Sequence, residues 1–348
     1  MINHLFADRV VDFRSDNTGS AAPEIIAAVA AANGGTAAGY GADRWTAEIQ
    51  RRFGEVFEAE VHVFPVSTGT AANALSLAAT CPSWGAVYCS KDAHVETSEA
   101  NATAFFGGGV KLALLGGDHG KIRPDALSQA LSAAGVGLPH KSQPAAISLT
   151  QATDLGAVYA LDEIRALTDI AKRHRLKVHM DGARLANALA RLGCTPAEMT
   201  WKSGVDILSF GATKNGGLLC DAIVVFQPEI AERLRFQIRR AGQVWSKMRF
   251  AAAQLLAYLE NDLWLRNAAR ANGVARRIAD GLAPLGVRAL APVEANEVFL
   301  DIDAGAMDRI DAAGIRFFRR GPRVARFVCR FDSDESDVGA LLQALARK

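Results

Sequence analysis

The chain has 348 residues, half of them hydrophobic and 22% charged, with a formal net charge of +2. A sizeable packed core is easily supported, roughly two domains are expected at ~150 residues each, and nothing points to nucleic acid or an anionic membrane surface. The five cysteines (Cys81, Cys89, Cys194, Cys220, Cys329) form an odd, widely spaced set without a C-x-x-C pair. That argues against a disulfide framework and a metal site, and for a reducing, cytoplasmic setting. Asp8, Arg9, Asp12 and Arg14 leave Met1 to Asn17 without the apolar core of a signal peptide. No apolar run reaches the ~18 residues that a membrane span requires.

In chain order, Val10 to Arg14 reads as a short extended segment leading into Ser15-Asp16-Asn17. Pro23 opens a helix with Ile25, Ile26 and Val29 on one face, and Asn33-Gly34-Gly35 stops it. A glycine-punctuated loop centred on Tyr40-Gly41 precedes an amphipathic helix over Thr46–Phe57. Val61–Val66 is a strand, and Ser67-Thr68-Gly69-Thr70 turns it into an Ala-rich helix, Ala71–Ala79. The same order recurs at strand Ala86–Cys89 and the helical Glu96–Thr103 region. Further strands are expected at Val110–Leu115, Ala146–Thr150, Lys177–Met180, Val205–Phe210 and Ala222–Phe226, with helices between them, notably Leu161–Ala171. Strands with little alternation, separated by helices, predict a mostly parallel central sheet covered on both faces.

From about Met248 the texture changes. A long Ala/Leu/Arg helical stretch runs to about Leu282, with a break expected near Gly273. Strands over Val298–Ile302 and Val324–Phe331 follow, then a helix with Val338, Leu341, Leu342 and Leu345 on one face. The division is therefore a large α/β domain over 15–247, after a leading segment 1–14, and a smaller α+β domain over 248–348.

Four segments carry chemistry. Lys214 emerges from an apolar strand in Asp206-Ile207-Leu208-Ser209-Phe210-Gly211-Ala212-Thr213-Lys214-Asn215-Gly216-Gly217, with no acidic residue within six positions. An amine held there sheds water easily, which favours its neutral, nucleophilic form; the plain alternative is a lysine at a strand end reaching solvent. Ser67-Thr68-Gly69-Thr70 offers free backbone N–H groups, a helix dipole and hydroxyls to an anion, and the same residue types also cap helices ordinarily. In His179-Met180-Asp181-Gly182-Ala183-Arg184, His179 and Asp181 share one side of a strand. Asp181 thus sits at its carboxyl end, where open α/β sheets bind ligands and a carboxylate can hold a ring N–H⁺. Arg184 can face the same ligand, or pair with Asp181 for local structure alone. His94 follows another strand and is placed to stack on a flat group or move a proton. A phosphate cradle, a carboxylate for a ring nitrogen, a flat side chain and a desolvated lysine are together the parts of a pyridoxal 5'-phosphate (PLP) site.

Ser15-Asp16-Asn17, Tyr40-Gly41, Ser67-Thr68-Gly69-Thr70-Ala71-Ala72-Asn73, His94, His179-Met180-Asp181-Gly182-Ala183-Arg184 and Ser209-Phe210-Gly211-Ala212-Thr213-Lys214-Asn215-Gly216 occur in the order of a known family. From about residue 10 onward the chain resembles the low-specificity L-threonine aldolases, PLP enzymes of aspartate-aminotransferase-like fold type I. The resemblance implies that Lys214 carries the cofactor covalently, that Gly69 and Thr70 hold its phosphate, and that Asp181 holds its pyridine nitrogen. Arg184 would lie near the phenolic oxygen and His94 over the ring face. Ser15 and Arg326 match residues that bind the substrate carboxylate. Tyr40 lies at the matching substrate-side loop, and His140 matches a histidine near the substrate hydroxyl. Many family members read Ser-Asp-Thr where this chain has Ser15-Asp16-Asn17.

The implied reaction is cleavage of L-threonine, L-allo-threonine and related β-hydroxy-α-amino acids to glycine and an aldehyde. The base is His94, His140 or water. A homotetramer with active sites near subunit interfaces is implied too, and the Arg239-Arg240 and Lys247-Met248-Arg249 stretches resemble a region that reaches a neighbour's phosphate. The nearest rival is a β-eliminating lyase or aminotransferase on the same scaffold. A PLP-holding regulator is disfavoured, because such proteins usually carry a DNA-binding segment and no spare N-terminal domain is expected here to host one. A dinucleotide-binding fold is disfavoured because Gly107-Gly108-Gly109 precedes a strand instead of following one.

Overall fold

Apolar strands with both faces hidden call for helices above and below. The computed structural model, which describes residues 10–346 and so leaves Asp8 and Arg9 outside, arranges seven strands in one sheet in that way. They are β1 (His62–Val66), β2 (Gly85–Ser90), β3 (Lys111–Leu115), β4 (Gln143–Thr150), β5 (Lys177–Gly182), β6 (Ile207–Phe210) and β7 (Asp221–Val225). Their order is β1-β7-β6-β5-β4-β2-β3. All neighbours run parallel except β7, which is antiparallel to β6 and β1.

The helices in chain order are α1 (Pro23–Ala32), α2 (Arg44–Phe57), α3 (Gly69–Thr80), α4 (His94–Thr97), α5 (Ala102–Phe106), α6 (Pro124–Ser132) and α7 (Leu161–Arg173). They continue with α8 (Leu185–Leu192), α9 (Pro196–Met199), α10 (Pro228–Arg240), α11 (Arg249–Leu259), α12 (Leu263–Leu282), α13 (Ala304–Ala312) and α14 (Glu335–Ala346). Strand alternation sends side chains to both faces. Ile207 and Ile223 pack against α3 and α10 on one face. Leu208, Ala222 and Val224 join the other core, with α1, α2, α7, α8 and α11.

A second, antiparallel sheet of order β10-β11-β9-β8 forms from β8 (Arg288–Ala289), β9 (Glu297–Asp301), β10 (Phe318–Arg319) and β11 (Val324–Val328). α13, α14 and the second half of α12 cover it, and Phe13 from the leading segment packs into the same core. Packing therefore divides the chain later than the texture at 247/248 suggests. α11 and α12 as far as Ala268 belong to the core of the large sheet, and α12 from Val274 to that of the small one. α11 is buried along almost its whole length in the large-sheet core.

Two helix expectations change. The break foreseen near Gly273 lies instead at Asn261 and Asp262, whose φ values of 49° and 55° end α11 and start α12. Gly273 sits inside a continuous helix. Asn and Asp tolerate the left-handed region best among non-glycine residues, so they supply the corner. The helical Glu96–Thr103 region is two short helices, parted by Ala100 and Asn101 at positive φ. That corner sets Glu99 beside His94, which matters below.

Candidate active site

Parallel strands β4, β5 and β6 end together, and their carboxyl ends open on a cavity of about 300 Å³. β5 delivers Asp181 to its wall, while Lys214 arrives on the turn after β6. The turn is pinned from several sides. Asp221 Oδ1 accepts the N–H groups of Ala212 and Thr213, at 2.8 and 3.0 Å. Asn215 donates to Tyr258 Oη at 2.8 Å and to the Trp264 carbonyl at 2.7 Å. Phe210, one turn earlier, packs edge-on against Phe53 with centroids 5.0 Å apart and against Trp264 at 5.5 Å. Gly216 closes the turn at φ +101°, and a Cβ there would come within 2.8 Å of Asn267. Only glycine fits both demands. The Lys214 ammonium forms no hydrogen bond or ion pair among the described residues, so a covalent partner would displace nothing.

Thr68 caps α3 by accepting the Ala71 N–H at 3.1 Å. This is the ordinary capping role, and it coexists with an anion site. It leaves the N–H groups of Gly69 and Thr70 without acceptors among the described residues, at the cavity wall. Asp181 is buried, and its carboxylate accepts from Asn73 Nδ2 at 2.8 Å and from the Ala183 N–H at 3.0 Å. Both donors are neutral. A buried carboxylate without a counter-ion is costly, so this one calls for a cation in the cavity. Beneath it, His179 is wholly buried between Ser148 Oγ and Ser209 Oγ, each at 2.9 Å. Burial pushes its pKa down to about 4, so the imidazole is neutral.

Arg184 is nearly inaccessible. Its Nε and Nη2 donate to Asp16 at 2.9 and 3.0 Å, and Nη1 lies 3.2 Å from Glu297. Burial works against its charge, but Asp16 and Glu297 together outweigh that and hold the guanidinium charged. Glu297 also accepts from Arg326 Nε and Nη2, at 2.9 and 2.6 Å. His94 stands at the start of α4 with Nδ1 2.8 Å from Glu99, whose side chain is fully buried. The Glu99 hydrogen bond raises the His94 pKa above its ordinary value, against the opposing effect of burial.

The sequence model of the beta-eliminating lyase family matches residues 12–305. The low-specificity L-threonine aldolase of Pseudomonas aeruginosa is 44% identical over 96% of this chain and 96% of its own. That of Pseudomonas sp. is 42% identical over the same shares. The chain belongs to this family of threonine aldolases and beta-eliminating lyases. In fold, the threonine aldolase of Leishmania major superposes with a TM-score of 0.89 over 96% of this chain and 98% of its own, at 24% identity.

Family members depend on PLP, and the residues here fit it. The uncompensated Asp181 carboxylate suits a protonated ring nitrogen, the unpaired amides of Gly69 and Thr70 suit a phosphate, and the unpartnered Lys214 amine suits an aldehyde.

Of the residues singled out from sequence, Lys214, Asp181, Arg184, His94, Gly69 and Thr70 line one cavity. Four do not. Ser15 accepts the Asn17 N–H at 3.1 Å and caps a short turn, so that Asn17 faces the cavity in its place. Arg326 stands behind the wall, joined to Arg184 through Glu297. Tyr40 is 62% exposed, with the Arg239 guanidinium 5.1 Å from its ring. His140 precedes β4, at the amino end of a strand whose carboxyl end forms the site, and does not line this chain's cavity.

Sequence reasoning quoted Asp16 and Asn73 within motifs without giving them a role, and passed over Glu99, Asp154, Asp221 and Glu297. Asp154 was findable, because the rule that picks out residues after strand carboxyl ends applies equally to the loop after β4. Asn73, a polar residue inside an apolar helix, was a weaker signal. Glu99 and Glu297 depend on pairings across the fold.

Proposed function

We propose that the chain is a PLP-dependent aldolase that cleaves L-threonine, L-allo-threonine and related L-β-hydroxy-α-amino acids to glycine and an aldehyde. The observation that carries the reading is the buried, uncompensated Asp181 carboxylate, which shares a cavity with the unpartnered Lys214 amine and two free helix-start amides. When bound, PLP accepts the electron pair released as the Cα–Cβ bond breaks.

Each residue has one task. Lys214 ties the cofactor aldehyde, Gly69 and Thr70 hold the phosphate, and Asp181 keeps the pyridine nitrogen protonated. Arg184, locked by Asp16 and Glu297, presents a fixed positive charge beside the ring's phenolic oxygen. His94 covers the ring face, oriented by Glu99. Ser15 and Arg326 would bind the substrate carboxylate and so fix the orientation of the bond to be broken. Arg326 is already steadied by Glu297 for this purpose.

The assembly is proposed to be a homotetramer whose active sites lie near subunit interfaces. Leu219 lines the cavity yet is 63% exposed, which suits a covering neighbour. Tyr40 would act there: it stacks with Arg239, and Gln243 in the same stretch accepts the Ser67 N–H at 2.9 Å, beside the phosphate cradle. The proposed compartment is the cytoplasm, in keeping with five unpaired cysteines. Among the described residues no helix is long and apolar enough to cross a membrane.

The test is incubation of the holoenzyme with L-threonine, L-allo-threonine and L-phenylserine, following glycine and aldehyde together. Equimolar release supports the aldolase. Ammonia and a keto acid would make it a β-eliminating lyase, and a requirement for an acceptor keto acid an aminotransferase.

A further inference from the structure

Besides Asp181 and Asp221, which pins the Lys214 turn, the cavity holds one further carboxyl group among the described residues. Asp154 lies in the loop after β4 and lines the cavity with Asp181, Lys214 and His94. Its Oδ2 accepts the main-chain N–H of His94 at 3.1 Å, which fixes the side chain beside the imidazole said above to cover the ring. Its Oδ1 has no hydrogen-bond partner among the described residues. The ring nitrogen needs one carboxylate, and Asp181 is already placed for it. A second acid in the same cavity adds repulsion unless it has a separate task.

We propose that Asp154, through Oδ1, is the base that takes the β-hydroxyl proton of the substrate; this deepens the aldolase reading and rests on it. The β O–H bond breaks, with its proton passing to the carboxylate. Its electron pair forms the C=O bond of the departing aldehyde. The Cα–Cβ pair stays with Cα, which later takes up a proton to become glycine.

The electrostatics agree with the geometry. The groups facing Asp154 are Asp181 from β5, Glu297 from β9, His94 from α4 and Arg184. Burial first, then Asp181 and Glu297, push its pKa up to about 6, while His94 and Arg184 pull the other way. It is ionised at neutral pH and a stronger base than an ordinary aspartate, close to the optimum for proton abstraction near pH 7. His94 is less suited, since Glu99 engages its Nδ1 and draws it toward the protonated form. His140 belongs to the other end of the sheet.

Asp154→Asn keeps the shape and the hydrogen bond to His94 while removing the base. The holoenzyme variant is expected to lose about 10²–10⁴-fold in aldehyde release from L-threonine. Glycine has no β-hydroxyl, so exchange of its Cα proton in D₂O, read by NMR, should stay within about tenfold of wild type, as should the PLP affinity read by absorbance titration. Wild type is expected to lose kcat/KM below about pH 6, and that fall should vanish from the variant's residual activity. An unchanged thermal melt excludes misfolding.

Aldehyde release within tenfold of wild type would overturn the proposal. So would a parallel loss of cleavage, glycine exchange and PLP affinity, which would make Asp154 a cofactor anchor. A wild type that releases aldehyde from none of the three substrates would sink the aldolase reading itself, a result distinct from either.

Discussion

The same sheet ends in two clefts. At the amino ends of β5 and β6 lies the larger, about 860 Å³, lined by Arg165, Lys172, Arg175, Lys177 and Lys202 among others. At the carboxyl ends lies the smaller, about 300 Å³. In the larger cleft the cations are at or near the surface and two of them are paired, Lys177 with Glu229 at 2.9 Å and Lys202 with Glu58 at 2.5 Å. Exposed pairs of this kind are worth at most about 1 kcal/mol and leave nothing frustrated. In the smaller cleft Asp181 and Asp221 are buried, and neither Asp181 nor Lys214 forms an ion pair among the described residues. Size does not separate the two. What separates them is charge that the fold desolvates and leaves uncompensated, which a ligand can then satisfy.

The most severe way to break this comparison is Lys214→Ala. It should abolish the visible-range absorbance of protein-bound PLP and lower turnover by at least about 10³-fold. A variant that keeps both would move the chemistry away from the carboxyl-end cleft altogether.

A smaller effect sharpens it through His179, buried below Asp181. Its folded pKa of about 4 lies below the ordinary 6.5, so the unfolded chain binds the extra proton between those values. Its share of stability is therefore whole above about pH 6.5 and lost as pH falls toward 4. Urea unfolding at pH 7 and pH 5 should show wild type losing about 2 kcal/mol more than His179→Asn across that interval. Equal losses would mean that the imidazole is not held neutral.

The smallest effects belong to the other end. Lys202→Ala and His140→Ala should both leave kcat/KM within about twofold, and Lys202→Ala should cost no more than about 1 kcal/mol of stability. A tenfold loss in His140→Ala alone would mean that this histidine serves a neighbouring subunit's site.

Periodicity and local chemistry carried much of this protein. The apolar runs that became β1 to β7, the turn that exposes Lys214 and the Asp181 carboxylate after β5 are legible because strand alternation and capping act within a few residues. Other features were decided only by tertiary structure. Glu99 meets His94 because Ala100 and Asn101 turn a corner that no helix pattern announces. Glu297 joins Arg184 to Arg326 only once the small sheet docks against the large one. His140 and His94 were both candidate bases, yet strand direction sends the two to opposite ends of the sheet. Local sequence determined which side chains stand at strand ends, since that depends on backbone geometry. Which buried charges go unmatched depends on distances between remote segments, and only the folded chain sets those.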